Sequence, residues 1–155
     1  MKRENLVLLS LAGLILMGSS SCVGTHGAIK HYSYPYSKAA VEKAINALYV
    51  MDSAVRVPLS KPDWQPHSPF FTFCLKDSIP LLYKIRFYGD DKEWNRQPHY
   101  AQFFIIYVKE GEEPAKSAST MRKEEVEWYA SIFEQKIKGK LDVLLKGSGS
   151  QQFRP

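Results

Sequence analysis

The 155-residue chain has two cysteines, Cys22 and Cys74, so it can form at most one internal disulfide. It has no apolar stretch of the roughly 20 residues that a membrane-spanning helix needs. There is no G-x-S-x-G elbow, no H-E-x-x-H helix and no glycine-rich loop opening a helix, so the common nucleophile, zinc and phosphate motifs are missing. The histidines are His26, His31, His67 and His99, and none has a metal-ligand spacing with another His, Cys or carboxylate on a shared element. Asp90-Asp91 and Glu112-Glu113 are adjacent acids, which form turns, whereas acid–base pairs come from separated positions. Cys74 lies between Phe73 and Leu75, an apolar setting that makes a thiol a poor nucleophile and favours an inert, buried one. No catalytic residue, metal or cofactor is expected. The net charge of +5 is dispersed, and without a basic run or RNA-binding signature it points to no nucleic-acid partner.

The N-terminus carries the strongest positive signal. Lys2 and Arg3 precede an almost unbroken apolar run from Leu6 to Met17, then Gly18-Ser19-Ser20-Ser21 and Cys22. The run is too short to span a bilayer but suits an export signal. Residues 1–22 resemble the signal class of bacterial lipoproteins, although Ser19 stands where leucine is common. The resemblance implies removal of residues 1–21, diacylation of Cys22 and anchorage to the membrane through that lipid. Ordinary cleavage near Ser21, with soluble secretion, is the competing fate. Val23 in place of aspartate implies the outer membrane, facing the periplasm, in a Gram-negative host. With Cys22 acylated, Cys74 is the only thiol and the mature domain is disulfide-free.

Aromatic residues are abundant after the signal: three Trp, nine Tyr and eight Phe. Such side chains bury large areas and support a core without disulfides. Residues 22–36 read as a tether with a possible first strand over 28–34, residues 37–146 as one domain, and 147–155 as a disordered tail. Ser37 is a candidate N-cap for an amphipathic helix over 38–51, with Val41, Ala44, Ile45 and Leu48 inward and Lys38 among the outward residues. Pro58, Pro62 and Pro66 exclude a helix over 52–68, although Val55-Arg56-Val57 can pair as an edge. Strands are expected at 70–75, 81–88 and 101–109, the first two as a hairpin. A long charged loop, 89–100, separates the second and third. A last helix over 121–145, capped by Ser119 or Thr120, carries Val126, Tyr129, Phe133, Ile137, Leu141 and Leu144 on one stripe. The expected fold is α+β, an antiparallel sheet of three to four strands with two helices packed on one face.

Alternation assigns Phe71, Phe73, Leu75, Tyr83, Ile85, Phe87, Phe104, Ile106 and Val108 to the helix-covered side. The other side then holds Phe70, Thr72, Cys74, Leu82, Lys84, Arg86, Tyr88, Phe103, Ile105 and Tyr107, unusually apolar for an open sheet face. Such a face can bind a partner, pair with a second copy, or be covered by the segment around Tyr32–Tyr36 or by 52–68. The candidate partner-binding residues are Lys84, Arg86, Tyr88, Phe103 and Tyr107. Trp94 in the 89–100 loop, with Arg96 and His99, forms a second candidate contact. The expected function is non-catalytic binding by a lipid-anchored envelope protein, as an envelope-assembly accessory or a periplasmic immunity-type partner of a protein. The alternative is a small-ligand binder with an aromatic-lined pocket between the sheet and the last helix.

Overall fold

The computed structural model describes residues 27–56 and 69–149. Cys22, the signal, Pro58, Pro62, Pro66, His26, His67 and the tail beyond residue 149 lie outside the described residues.

Five strands form one antiparallel sheet in the order β1-β5-β4-β3-β2. They are β1 (His31–Tyr34), β2 (Val55–Arg56), β3 (Phe70–Leu75), β4 (Leu81–Phe87) and β5 (Ala101–Glu110). β2 is the expected short edge, pairing only with Cys74 and Leu75. The helices α1 (Lys38–Met51) and α2 (Asp91–Arg96) precede β5, and α3 (Lys123–Phe133) and α4 (Gly139–Gly149) follow it. The architecture is α+β, as expected, and α1 has the expected bounds with Ser37 Oγ accepting from Ala40 N at 3.1 Å. The last helix starts later than Ser119 or Thr120 would dictate. Ala118–Thr120 make a separate 3-10 turn, and Arg122 is the N-cap of α3.

The core is a single aromatic-rich cluster between the sheet and α1, α3 and α4. Val41, Ala44, Ile45 and Leu48 enter it from α1. Phe133 lies at its centre, its ring 5.4 Å from Tyr32, 5.7 Å from Phe73, 5.3 Å from Tyr83 and 6.2 Å from Phe103. One side chain of the last helix therefore meets four strands. The small-ligand alternative would place an aromatic-lined pocket between the sheet and the last helix. Tyr83, Phe103 and Phe133 fill that space and are fully buried.

A π-turn, Glu134–Lys138, joins α3 to α4. Its origin lies in the spacing of Tyr129, Phe133, Ile137, Leu141 and Leu145, all buried and four residues apart. In a regular helix each four-residue step drifts by about 40°, so the series would turn through about 160° and carry Leu145 away from the sheet. A π-turn accommodates one extra residue, removing about 100° of that rotation. The remainder fits within the apolar stripe of a core-facing helix.

Lys38 departs from its expected outward position. It is buried, pairs with Glu42, and sits 4.1 Å from the Trp94 ring centroid and 5.3 Å from that of Phe87. The 89–100 segment is partly helical instead of a loop. Asp90 caps α2 by accepting from Lys92 N and Glu93 N at 2.9 and 3.0 Å. Gly89 makes the preceding turn at φ 92°, and a Cβ there would lie 2.5 Å from Glu93 Oε2, so no larger residue fits without displacement.

Candidate functional site

The helices all lie on one side of the sheet, and among the described residues none crosses the other. β3 and β4 place their side chains as alternation requires: Phe71, Phe73, Leu75, Tyr83, Ile85 and Phe87 are buried, while Phe70, Thr72, Cys74, Leu82, Lys84 and Arg86 face away. Cys74, expected to be buried, is a free, half-buried thiol on this face.

β5 breaks the alternation. Tyr107 pairs with Lys84 and Ile105 with Ile85, leaving Ile106 without a partner on β4. This bulge resets which side each residue faces. Val108 remains in the core, but Phe103 and Ile105 are fully buried there, and Phe104 lies opposite Arg86 on the open side. Phe103 is therefore a core residue and is removed from the binding patch. Phe104 takes its place.

The resulting face has a defined order. Phe70 pairs with Arg86, Arg86 with Phe104, and Phe104 with His31, forming one row across β3, β4, β5 and β1. Thr72, Lys84 and Tyr107 form the next row. The Phe70 ring centroid is 5.3 Å from Lys84 Nζ and 5.7 Å from Arg86 Cζ, and His31 and Phe104 lie 5.5 Å apart. Arg86 is exposed, and Lys84 in the neighbouring row is half-buried. Tyr88 continues the β4 phase and is exposed at the rim. Lys84, Arg86, Tyr88 and Tyr107 thus share the face assigned to them from sequence. His31 and Phe104 were missed. The four consecutive apolar residues Phe103–Ile106 leave the strand's phase undefined, and that ambiguity was the available warning.

Trp94 does not belong to this face. It is half-buried, donates from Nε1 to Tyr88 O at 2.8 Å, and packs over Lys38 on the helix side. It ties α2 to α1. The Tyr32–Tyr36 segment does not cover the open face either, because Tyr32 and Tyr34 point into the core from β1. Of the other covering candidate, 52–68, residues 57–68 lie outside the described residues.

The core tyrosines have phenols held neutral well above the ordinary range. Burial is the main cause for each, joined by the Glu134 carboxylate at Tyr32 and by Asp142 at Tyr34. Tyr83 donates to Tyr129 O at 3.0 Å, and Tyr129 donates to Glu110 Oε2 at 2.9 Å. Burial and that carboxylate push Tyr129 up to about 12.

Among the described residues no three His, Cys, Asp or Glu side chains gather into a metal site, and no helix is long and apolar enough to cross a membrane. What the open face offers is recognition chemistry. A guanidinium flanked by aromatic rings can grip a carboxylate in bidentate fashion while the rings bury apolar surface. Comparison with known proteins found no matching family model, no matching curated protein and no matching solved structure.

Proposed function

We propose that this chain is a small lipid-anchored envelope protein that acts without catalysis, by binding a protein partner through the helix-free face of its sheet. The observation that carries the reading is the Phe70–Arg86–Phe104–His31 row, where the helix-free face of an antiparallel sheet normally shows polar side chains. Aromatics and arginine together make up the composition of interface anchors. The complementary partner surface is acidic with apolar flanks. The lipoprotein-like signal ending at Cys22 supports a location at the membrane.

The test is a photoreactive residue at Tyr107 in intact cells, with one at Val50, exposed on α1, as the control. A discrete adduct is expected from Tyr107 alone. Arg86→Glu should weaken capture by about thirtyfold or more, since removing one partner of an interfacial charge pair costs at least about 2 kcal/mol. Its thermal midpoint should stay near that of the parent, because Arg86 is exposed. Equal labelling from both positions, or labelling indifferent to Arg86→Glu, contradicts the reading.

A further inference from the structure

A cleft of about 370 Å³ opens at the other end of the molecule, between the β3–β4 hairpin and the last helix. That volume falls within the range of small-molecule sites. Val55, Leu75 and Leu81 are buried beneath it, and Ile132 lines its wall. Trp128 and Ile79 flank it, each 52 % exposed, and are among the large apolar side chains the fold leaves in solvent.

The helix wall is ordered by the same π-turn that aligns the core. Trp128, Ile132, Lys136 and Lys140 line the cleft at four-residue spacing. A regular helix would turn this series through about 120° and carry Lys140 off the wall. With the π-turn between Ile132 and Lys140, two apolar residues and two lysines form one strip, apolar at one end and cationic at the other. π-turns of this kind recur at functional sites.

The charges around the cleft are unequal in availability. Glu110 accepts the Tyr129 hydroxyl at 2.9 Å, and Lys140 pairs with Asp52. Asp77 accepts from Ser78 N at 2.8 Å. Lys136 and Lys76 make no ion pair among the described residues. A neutral apolar ligand would leave these ammonium groups unused, whereas an anionic group can pair with them.

We infer that this cleft binds an anionic single-chain amphiphile, its acyl chain against Trp128, Ile132 and Ile79 and its charged group at Lys136. The site is separate from the sheet face. It takes from the proposed function only the expectation that the protein works at a lipid surface, where such molecules are met. Carboxylate and phosphate headgroups share this chemistry, so both sources are tested.

The full chain carrying Cys22→Ser is titrated with dodecanoate and, separately, with lysophosphatidylglycerol, below their micellar concentrations. Dodecanol and acetate serve as controls for the chain and the charge alone. Binding is followed by calorimetry and by tryptophan emission, with Trp128→Phe showing whether the emission change originates at the cleft. Saturable binding of dodecanoate or lysophosphatidylglycerol is expected, and whichever binds identifies the headgroup. Lys136→Glu should weaken it about tenfold, the loss of one charge-assisted contact. Ile132→Ser should weaken dodecanoate and dodecanol alike, and both variants should unfold at the parent's temperature. No saturable binding of either anionic probe, or affinity unchanged in both variants, overturns the inference. So does stronger binding of dodecanol than of dodecanoate. Because Cys22 is replaced throughout, failure of the lipid-anchor reading would leave these results unaffected.

Discussion

Deleting Gln135 from the π-turn should leave the fold almost as stable as before. A deletion inside a core helix ordinarily rotates everything beyond it by about 100°. Here the turn already holds one residue more than a regular helix can align. With Gln135 gone, Phe133 and Ile137 stand three apart, and a regular helix keeps Tyr129, Phe133, Ile137, Leu141 and Leu145 within an arc of about 80°. Gln135 is exposed, so no core volume is lost, and i→i+4 bonds replace the wider π bonds. The expected cost is within about 1 kcal/mol, in the range of ordinary surface changes. The comparison is deletion of Ser131, which lies in regular helix. That change turns Tyr129 and Ala130 by about 100° away from the residues that follow. It breaks the Tyr83–Tyr129 hydrogen bond and should cost at least as much as truncating a large core side chain, about 3–5 kcal/mol. Urea denaturation followed by far-ultraviolet circular dichroism measures both. Equal losses from the two deletions would refute the view that the π-turn exists to align the buried series.

Three further outcomes follow from the packing. Phe103→Ala should cost about 3–5 kcal/mol and Phe104→Ala no more than about 1 kcal/mol, measured by the same denaturation, since only the first ring is fully buried. The reverse order would mean that β5 has no bulge at Ile106. Phe133→Ala should match the Phe103 loss or exceed it, because its ring meets aromatic side chains from four strands. At alkaline pH, Tyr32, Tyr34, Tyr49, Tyr83 and Tyr129 have folded pKa values above their unfolded value of 10.0. Their contribution is therefore intact below pH 10 and lost as pH rises, when the unfolded chain ionises first. Phenolate absorbance should show a group of tyrosines titrating only with loss of circular dichroism, and independent ionisation near pH 10 in the folded protein would contradict this.

Where local pattern and tertiary packing agree, the fold was legible in the residues. α1 shows this: Ser37 caps it, and Val41, Ala44, Ile45 and Leu48 repeat at helical spacing before Asp52. The alternation in β3 and β4 likewise determines which side chains enter the core. β5 was not legible, because alternation has no phase in Phe103-Phe104-Ile105-Ile106 and the bulge is set by pairing with β4. Lys38 was misjudged for a different reason. Helical periodicity places it outward, and only tertiary structure brings Trp94, Phe87 and Glu42 around it. The short helix in 89–100 left a faint signal, Asp90 with Glu93 three residues later, but no buried residue of its own to give it periodicity. The π-turn was not legible, because the sequence pattern ends its stripe on Leu144, whereas the structure buries Leu145 and so completes a four-residue series that no regular helix can keep on one face. Of the candidate site, the cations and Tyr107 were assigned to the correct face, whereas His31 and Phe104 depended on the bulge.

We propose that Cys22 tethers a binding domain to the membrane. Intact-mass and N-terminal peptide analysis of the protein recovered from cells tests it most directly. The expected product is a mature chain that begins at Cys22 and carries a thioether-linked diacylglycerol. A chain cleaved near Ser21 with an unmodified Cys22 thiol, or one retaining residues 1–21, would contradict it.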